Sequence, residues 1–345
     1  LPLHRKDTRL DSPLSLSFGI EGVWSAVDHE PHDNSGGFLP VEKLPRYKSS
    51  RLGLRWALTE RFEIAADYAN RSIISKRDQY ALNSYQFTVF YHIPGAINKW
   101  AFTLGTGIGS NRTSNLTKTS YTSFDEYLVT RAQLIEPRDL QLQANIFASS
   151  KFYYNTDSIF YFGLGQAVSK NNGFKGIVRD TENCNYDFSL GNDSSAVSLS
   201  EPCGRVISFE QKFNDIDVFE KHYNLNTTDD VSGTTRYWQL GTQFTMRHKS
   251  NHLGFGYHYQ RFFRGEIDER LSDRGGYPLI DNHTFSAWWH RKISRSWQVE
   301  TGARYSRRPM LNRLFVLYTG FTNERFRQDA IIFRLTLRYR FLQRS

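Results

Sequence analysis

Residues 330–341 read AIIFRLTLRYRF and alternate between apolar and polar side chains with a period of two. On a β-strand, successive side chains point to opposite faces, so this stretch has one apolar, aromatic face and one face that carries Arg334, Arg338 and Arg340. Two kinds of strand fit the pattern: a strand of a soluble sandwich, and a strand between lipid and a water-filled lumen. Only repetition along the chain separates them.

The alternation recurs in twelve segments of the 345-residue chain, joined by eleven connections that are long and short in turn. An even number of antiparallel strands with short turns at one end and long loops at the other is typical of outer-membrane barrels. The sequence therefore predicts an all-β fold, a transmembrane antiparallel up-and-down β-barrel of about 12 strands. Fourteen strands are allowed, because residues 127–135, read here as part of a loop, have apolar content of their own.

Composition agrees with a barrel. Mean hydropathy is −0.56, and no run approaches the roughly 18 to 20 apolar residues that a membrane helix needs, which excludes a helical membrane protein. Aromatic residues make up 15% of the chain, and this enrichment suits girdles at the membrane interfaces. The girdle residues expected beside short turns are Phe62, Tyr91, Trp100, Tyr153, Phe160, Trp289 and Trp297.

No linker or change in composition divides the chain, so residues 12–345 are predicted to form one barrel domain and residues 1–11 an N-terminal periplasmic tail. Residues 169–233 lack sustained periodicity and are predicted to form a long extracellular loop, since an unstructured insert of that length is uncommon in a compact soluble domain. This loop contains Cys184 and Cys203. Their spacing fits no metal-finger pattern, so we expect a disulfide formed in an oxidising compartment.

The first long loop concentrates residue types that ligate metals: Asp28, His29, Glu30, His32 and Asp33. Their spacing meets no rule for a particular metal, so a solvated polar loop is the preferred interpretation over a metal site. We predict no cofactor. Nucleic acid is not an expected partner either, because the net charge of +9 is dispersed along alternating segments instead of being gathered in one patch.

If the apolar faces meet lipid, the inward faces carry more basic than acidic side chains. The residues expected to line the lumen and bind solute are Arg51, Arg55, Arg247, Arg304, Arg334, Arg338, Arg340, Glu21, Glu63 and Glu300. Guanidinium groups bind carboxylate and phosphate bidentately and set an attractive field in a low-dielectric tube. The inward glycines Gly105, Gly107 and Gly109 are expected to leave room in the lumen. One alternative stays open, that paired Arg and Glu side chains simply fill a narrow lumen.

Along nearly its whole length the chain resembles bacterial outer-membrane β-barrel proteins of the porin-like, small-barrel channel class, by pattern and not by a diagnostic motif. The resemblance implies the outer membrane of a Gram-negative bacterium, with outer-membrane lipid and lipopolysaccharide as partners. In strand count and arginine content the chain is similar to twelve-stranded channels for acidic oligosaccharides. The predicted function is therefore a channel for anionic or polar small solutes.

Two other classes of function remain open. One is the barrel domain of a secretion, assembly or polymer-export machine that works with periplasmic partners. The other is an outer-membrane lipid hydrolase, although the sequence offers no convincing catalytic residues. Ser286 and His290 share one strand face, but four residues along a strand span about 13 Å, too far for a hydrogen bond. The oligomeric state is left open.

Overall fold

The structure of the protein is a computed structural model. It describes residues 14–27, 46–74, 79–95, 97, 99–113, 115–118, 122–124, 127–152, 155–179, 184–191, 233–273, 278–307 and 329–341. The strands of this part of the chain are β1 (Leu14–Val27), β2 (Arg46–Ala57), β3 (Phe62–Ile74), β4 (Gln79–His92), β5 (Trp100–Arg112), β6 (Asn115–Lys118), β7 (Thr122–Phe124), β8 (Tyr127–Ile135), β9 (Arg138–Phe152), β10 (Thr156–Lys170), β11 (Gly173–Arg179), β12 (Asn185–Gly191), β13 (Gly233–His248), β14 (Asn251–Phe263), β15 (Asp281–Lys292), β16 (Trp297–Ser306) and β17 (Asp329–Phe341). A helix, α1 (Gly265–Asp273), lies between β14 and β15.

Twelve of these strands close into an antiparallel barrel in the order β1-β17-β16-β15-β14-β13-β10-β9-β5-β4-β3-β2. Each barrel strand pairs with the next barrel strand along the chain, and β1 pairs with β17 to complete the ring. Closure removes the free edges that an open sheet would leave unpaired in lipid. The predicted fold class is confirmed.

The outer surface of the barrel is an apolar belt. On β17 the large apolar side chains Phe333, Leu335 and Leu337 are exposed by 45%, 45% and 41%. Their row runs from Ile331 to Phe341, about 33 Å along the strand, which corresponds to about 25 Å along the barrel axis at the tilt usual for such barrels. That is the height of the apolar band of an outer-membrane barrel. The belt therefore faces hydrocarbon, and the predicted outer-membrane location is confirmed.

Aromatic rings gather at the short-turn end of the belt, as predicted. The rings of Phe62 and Tyr91 lie 5.1 Å apart between centroids, and those of Trp100 and Phe160 lie 5.7 Å apart. Tyr153 lies outside the described residues. Among the helices that the structure describes, none is long and apolar enough to cross a membrane.

A second sheet continues part of the barrel wall beyond the long-loop end. It consists of β6, β7, β8, β11 and β12, and β8 pairs with β11 just as β9 pairs with β10 below it. The interpretation of residues 127–135 as loop was wrong, and so was that of residues 169–233 as unstructured, because both contain strands. These strands pair outside the membrane, where no lipid-facing side is needed and regular alternation is lost.

Two predicted connections differ from the structure. The sequence pattern predicts the third connection at residues 76–83, whereas β4 already begins at Gln79 and pairs with β3 as far as Ile74. Leu82 is buried on the inward face, so the apolar and polar alternation is interrupted there and the pattern did not show the start of the strand. The connection at residues 265–282, which the sequence predicts only as a loop, contains α1. The predicted domain limits, 1–11 and 12–345, fall on residues outside the described part and stay a prediction.

Candidate functional site

The ten predicted lumen residues lie on the strand faces opposite the apolar belt. On β2, for example, Arg51 and Arg55 are partly buried between the exposed Leu52, Leu54 and Trp56. Their role in solute binding stays a prediction. What the structure adds is which of them are held by a partner.

The two arginines of β2 lie between carboxylates of the neighbouring strands. Arg51 Nη1 lies 3.4 Å from Glu21 Oε1 on β1, and its Nη2 lies 3.6 Å from Asp67 Oδ1 on β3. Arg55 Nη1 donates to Glu63 Oε1 at 3.2 Å. These arginines are fixed in position, and their charges are largely compensated.

The arginines of β16 and β17 are compensated less completely. Arg334 donates to Glu300. Arg338 forms no hydrogen bond or ion pair with the described part of the chain, and the charges that act on it are those of Arg55, Arg334 and Arg340, with Glu300 opposing them. Arg304 Nε is buried without a hydrogen-bond partner among the residues that the structure describes.

The Gln298 side-chain amide bridges a histidine and an arginine at the short-turn end. In the orientation that satisfies both neighbours, the Gln298 nitrogen donates to His290 Nε2 at 2.9 Å, and its oxygen accepts from Arg340 Nε at 2.9 Å. At the same end, Arg247 Nε lies 2.5 Å from Asp157 Oδ2. Sequence reasoning missed Asp157 because it assigned residues 155–157 to a turn, whereas β10 begins at Thr156.

The lumen thus has two unlike sides. We call one the basic wall: the charged inward residues of β16, β17, β1 and β2, which are Arg51, Arg55, Arg304, Arg334, Arg338, Arg340, Glu21 and Glu300. Opposite it around the barrel is what we call the amide wall: the inward residues of β9, β10, β13 and β14, which include Gln141, Gln143, Asn145, Gln239, Gln243 and Gln260. Gln239 Nε2 donates to Asn145 Oδ1 at 2.6 Å. The basic wall offers charge, and the amide wall offers neutral hydrogen-bonding groups.

Aromatic rings fold over inward glycines. A Cβ at Gly241 would lie 2.4 Å from the Tyr161 ring, so this ring crosses β13 and reaches β14. There Tyr161 Oη lies 2.5 Å from His258 Nδ1. A Cβ at Gly105 would likewise lie 3.0 Å from the Phe147 ring. The expectation that inward glycines leave open space is therefore corrected at these positions, because the space is occupied by rings.

Two predicted sites depend on residues outside the described part. Cys184 is buried, but Cys203 lies outside it, so the disulfide stays a prediction. The loop residues considered for metal binding, Asp28, His29, His32 and Asp33, also lie outside it. Within the described ranges, no group of three or more His, Cys, Asp or Glu side chains is placed to hold a metal ion.

No protein-family model matches the chain, and no curated protein sequence matches it. Among solved structures, the translocator domain of the autotransporter NalP from Neisseria meningitidis is similar at 10% identity and a TM-score of 0.51, covering 95% of this chain and 87% of that one. An outer-membrane channel from Pseudomonas putida F1 is 9% identical, with a TM-score of 0.48 and 99% of both chains covered. The KdgM porin in complex with oligogalacturonate is 8% identical, with a TM-score of 0.42, covering 95% of this chain and 99% of that one. At such identity the likeness shows the fold alone: the chain has the fold of an outer-membrane β-barrel.

Proposed function

We propose that the protein is an outer-membrane channel whose lumen passes small anionic or polar solutes, acidic oligosaccharides among them. The observation that carries the proposal is the pair Arg304 and Arg338 on the basic wall. Three arginines and one carboxylate act electrostatically on Arg338, and Arg304 Nε is buried without a partner among the described residues. An anionic solute supplies the negative charge that Arg338 lacks, and its oxygen atoms accept from the terminal guanidinium nitrogens of either arginine.

The chemistry of both walls supports this class of solute. A carboxylate or phosphate binds a guanidinium through two parallel hydrogen bonds. On the opposite side, amide groups donate to and accept from hydroxyl groups, as a sugar chain requires. A solute that carries both kinds of group therefore contacts the two walls at once.

The other arginines of the basic wall include three that form ion pairs. Arg51, Arg55 and Arg334 each have a carboxylate within ion-pair distance. Such pairs hold long side chains against the wall and keep them from closing the lumen. In this proposal the paired arginines fill part of the lumen, and other arginines select anions. A lumen filled by paired charges and a lumen that selects anions are therefore compatible interpretations of the sequence.

The test is ion selectivity in planar bilayers. In bilayers with a KCl gradient, the purified barrel is expected to show a reversal potential close to the equilibrium potential of chloride. Arg304→Gln combined with Arg338→Gln is expected to shift the reversal potential toward the equilibrium potential of potassium. The control is Lys48→Gln combined with Arg307→Gln, which removes two charges from exposed positions on the outer surface and should leave the reversal potential unchanged. A barrel that inserts without conducting, or that prefers cations before any substitution, contradicts the proposal and favours the export alternative.

A further inference from the structure

Three cations lie side by side on the outer surface, where the barrel strands end on the long-loop side. Arg112 of β5 pairs directly with Arg138 of β9, and Arg138 pairs directly with Lys170 of β10. All three residues are exposed. Directly paired residues place their Cβ atoms about 5 Å apart, so three positive charges occupy a stretch of about 10 Å.

Within the described part of the chain, this row has no counter-charge. None of the three side chains forms an ion pair or a side-chain hydrogen bond with the described residues. The carboxylate of Glu136, two positions before Arg138, accepts instead from Asn172 Nδ2 at 2.5 Å. Like charges directly opposite one another destabilise a sheet, so an anion that binds to the row stabilises it.

A fourth cation, Arg236, lines the same cavity as two members of the row. Arg138, Lys170 and Arg236 line an opening of about 810 Å³ between the strand ends and α1, and the exposed ring of Phe263 forms part of its edge. We call Arg112, Arg138, Lys170 and Arg236 the rim cluster. Its members lie at the border between the apolar belt and the loops.

An apolar groove lies against the same cavity on the lipid-facing side. It has a volume of about 720 Å³ and is lined by Ile108, Leu142, Ala144, Leu164, Trp238 and others. The groove and the cavity share Gln166, Arg236 and Phe263. A molecule that fits both has a multiply charged anionic head and apolar chains directly below it.

We infer that this surface binds a bisphosphorylated glycolipid of the outer leaflet, the lipid A part of lipopolysaccharide, with its phosphates on the rim cluster and an acyl chain in the groove. The long-loop end faces the outside in such barrels, which places the rim cluster at the depth of the outer-leaflet phosphates. Several cations spread over the rim match two separate phosphates better than the single phosphate of a glycerophospholipid. The inference rests on the orientation in the outer membrane and not on passage of solutes through the lumen.

Binding of purified lipid A to the detergent-solubilised barrel, measured by native mass spectrometry, tests the inference. Arg138→Gln combined with Lys170→Gln is expected to raise the dissociation constant for bisphosphorylated lipid A about tenfold, because two charge-assisted contacts are lost. Lys48→Gln combined with Arg307→Gln removes one Lys and one Arg from exposed outer positions away from the rim cluster and is expected to change it less than about twofold. Heat-modifiable migration on gels confirms that each variant has folded.

Two results would overturn the inference. One is equal lipid A binding by the rim-cluster variant and the control variant. The other is a wild-type barrel that binds lipid A stripped of its phosphates, or phosphatidylglycerol, as tightly as the bisphosphorylated form. Because selectivity of the lumen is measured in phosphatidylcholine bilayers without lipopolysaccharide, failure of this inference and failure of the channel proposal are separate outcomes.

Discussion

Replacing Gly241 with alanine should displace the Tyr161 ring from its place against the lumen wall. The new Cβ would lie 2.4 Å from Tyr161 Cζ and Oη, a distance at which the ring has to leave. Tyr161 then loses the hydrogen bond to His258, with its 2.5 Å separation, and the ring contact with Phe147, whose centroid lies 5.8 Å away. The hydrogen bond contributes about 1 kcal/mol and the ring contacts about 1 kcal/mol.

The free energy of unfolding is therefore expected to fall by about 2 kcal/mol, offset by up to about 0.5 kcal/mol because alanine restricts the unfolded chain more than glycine does. Urea unfolding in detergent micelles, followed by tryptophan fluorescence, measures this change. Gly109 gives a matched control, since it also faces inward and the nearest atom to its added Cβ is a backbone oxygen at 3.3 Å. Gly109→Ala is expected to change stability by less than about 1 kcal/mol.

A double-mutant cycle identifies the cause. In a Tyr161→Ala background no ring opposes the new methyl group, so Gly241→Ala should cost nothing there, and the coupling energy should be about 2 kcal/mol. An equal cost of Gly241→Ala in both backgrounds would refute the packing of this ring on this glycine. The displaced ring of the single variant also enters the lumen, so its single-channel conductance should fall below that of the wild type.

Two further predictions concern charged groups. Glu300→Gln removes the carboxylate that opposes Arg334 and Arg338. A unit charge about 8 Å from a permeating ion changes the energy of that ion by about 0.5 kcal/mol in water, so the chloride-to-potassium permeability ratio should rise roughly fivefold in 10 mM KCl and less in 0.15 M KCl. An unchanged reversal potential would contradict this. The pKa of Asp268 in α1 is raised, because the effect of burial exceeds the opposing effect of the Arg264 charge. The folded loop therefore holds the carboxyl proton more tightly than the unfolded chain does, and its packing weakens as pH rises through the raised pKa. A carboxyl NMR titration should show a still higher pKa for Asp268 in Arg264→Gln.

The barrel was predictable from the sequence because the two environments of each strand are chemically opposite. A one-residue shift in β17 would move Arg334 and Arg338 into lipid and Leu335 into the lumen, so the period of two is strictly maintained. Residues 127–135 were not predictable in the same way. Both faces of β8 lie outside the membrane, and no constraint imposes an alternation that the sequence would display.

The partners of the lumen residues were less accessible to sequence reasoning than their orientation. Arg55 and Glu63 are eight residues apart on a hairpin, so their contact follows from a short turn. Tyr161 and His258 are 97 residues apart, and their contact depends on the register of three strands and on the missing side chain at Gly241. A pattern along one strand carries no information about that register.

The same distinction bears on what the arginines do. Orientation, which the sequence predicts, puts six arginines on the basic wall but does not say which of them are available to a solute. The carboxylates of β1, β3 and β16 lie against Arg51, Arg55 and Arg334, and this pairing comes only from the three-dimensional register. An anionic solute that binds Arg51 has to displace Glu21 or Asp67, whereas at Arg338 it displaces no ion pair within the described residues. We therefore expect Arg338→Gln to weaken binding of an acidic oligosaccharide, measured as block of the ion current, more than Arg51→Gln does, and an equal loss in both variants would contradict this.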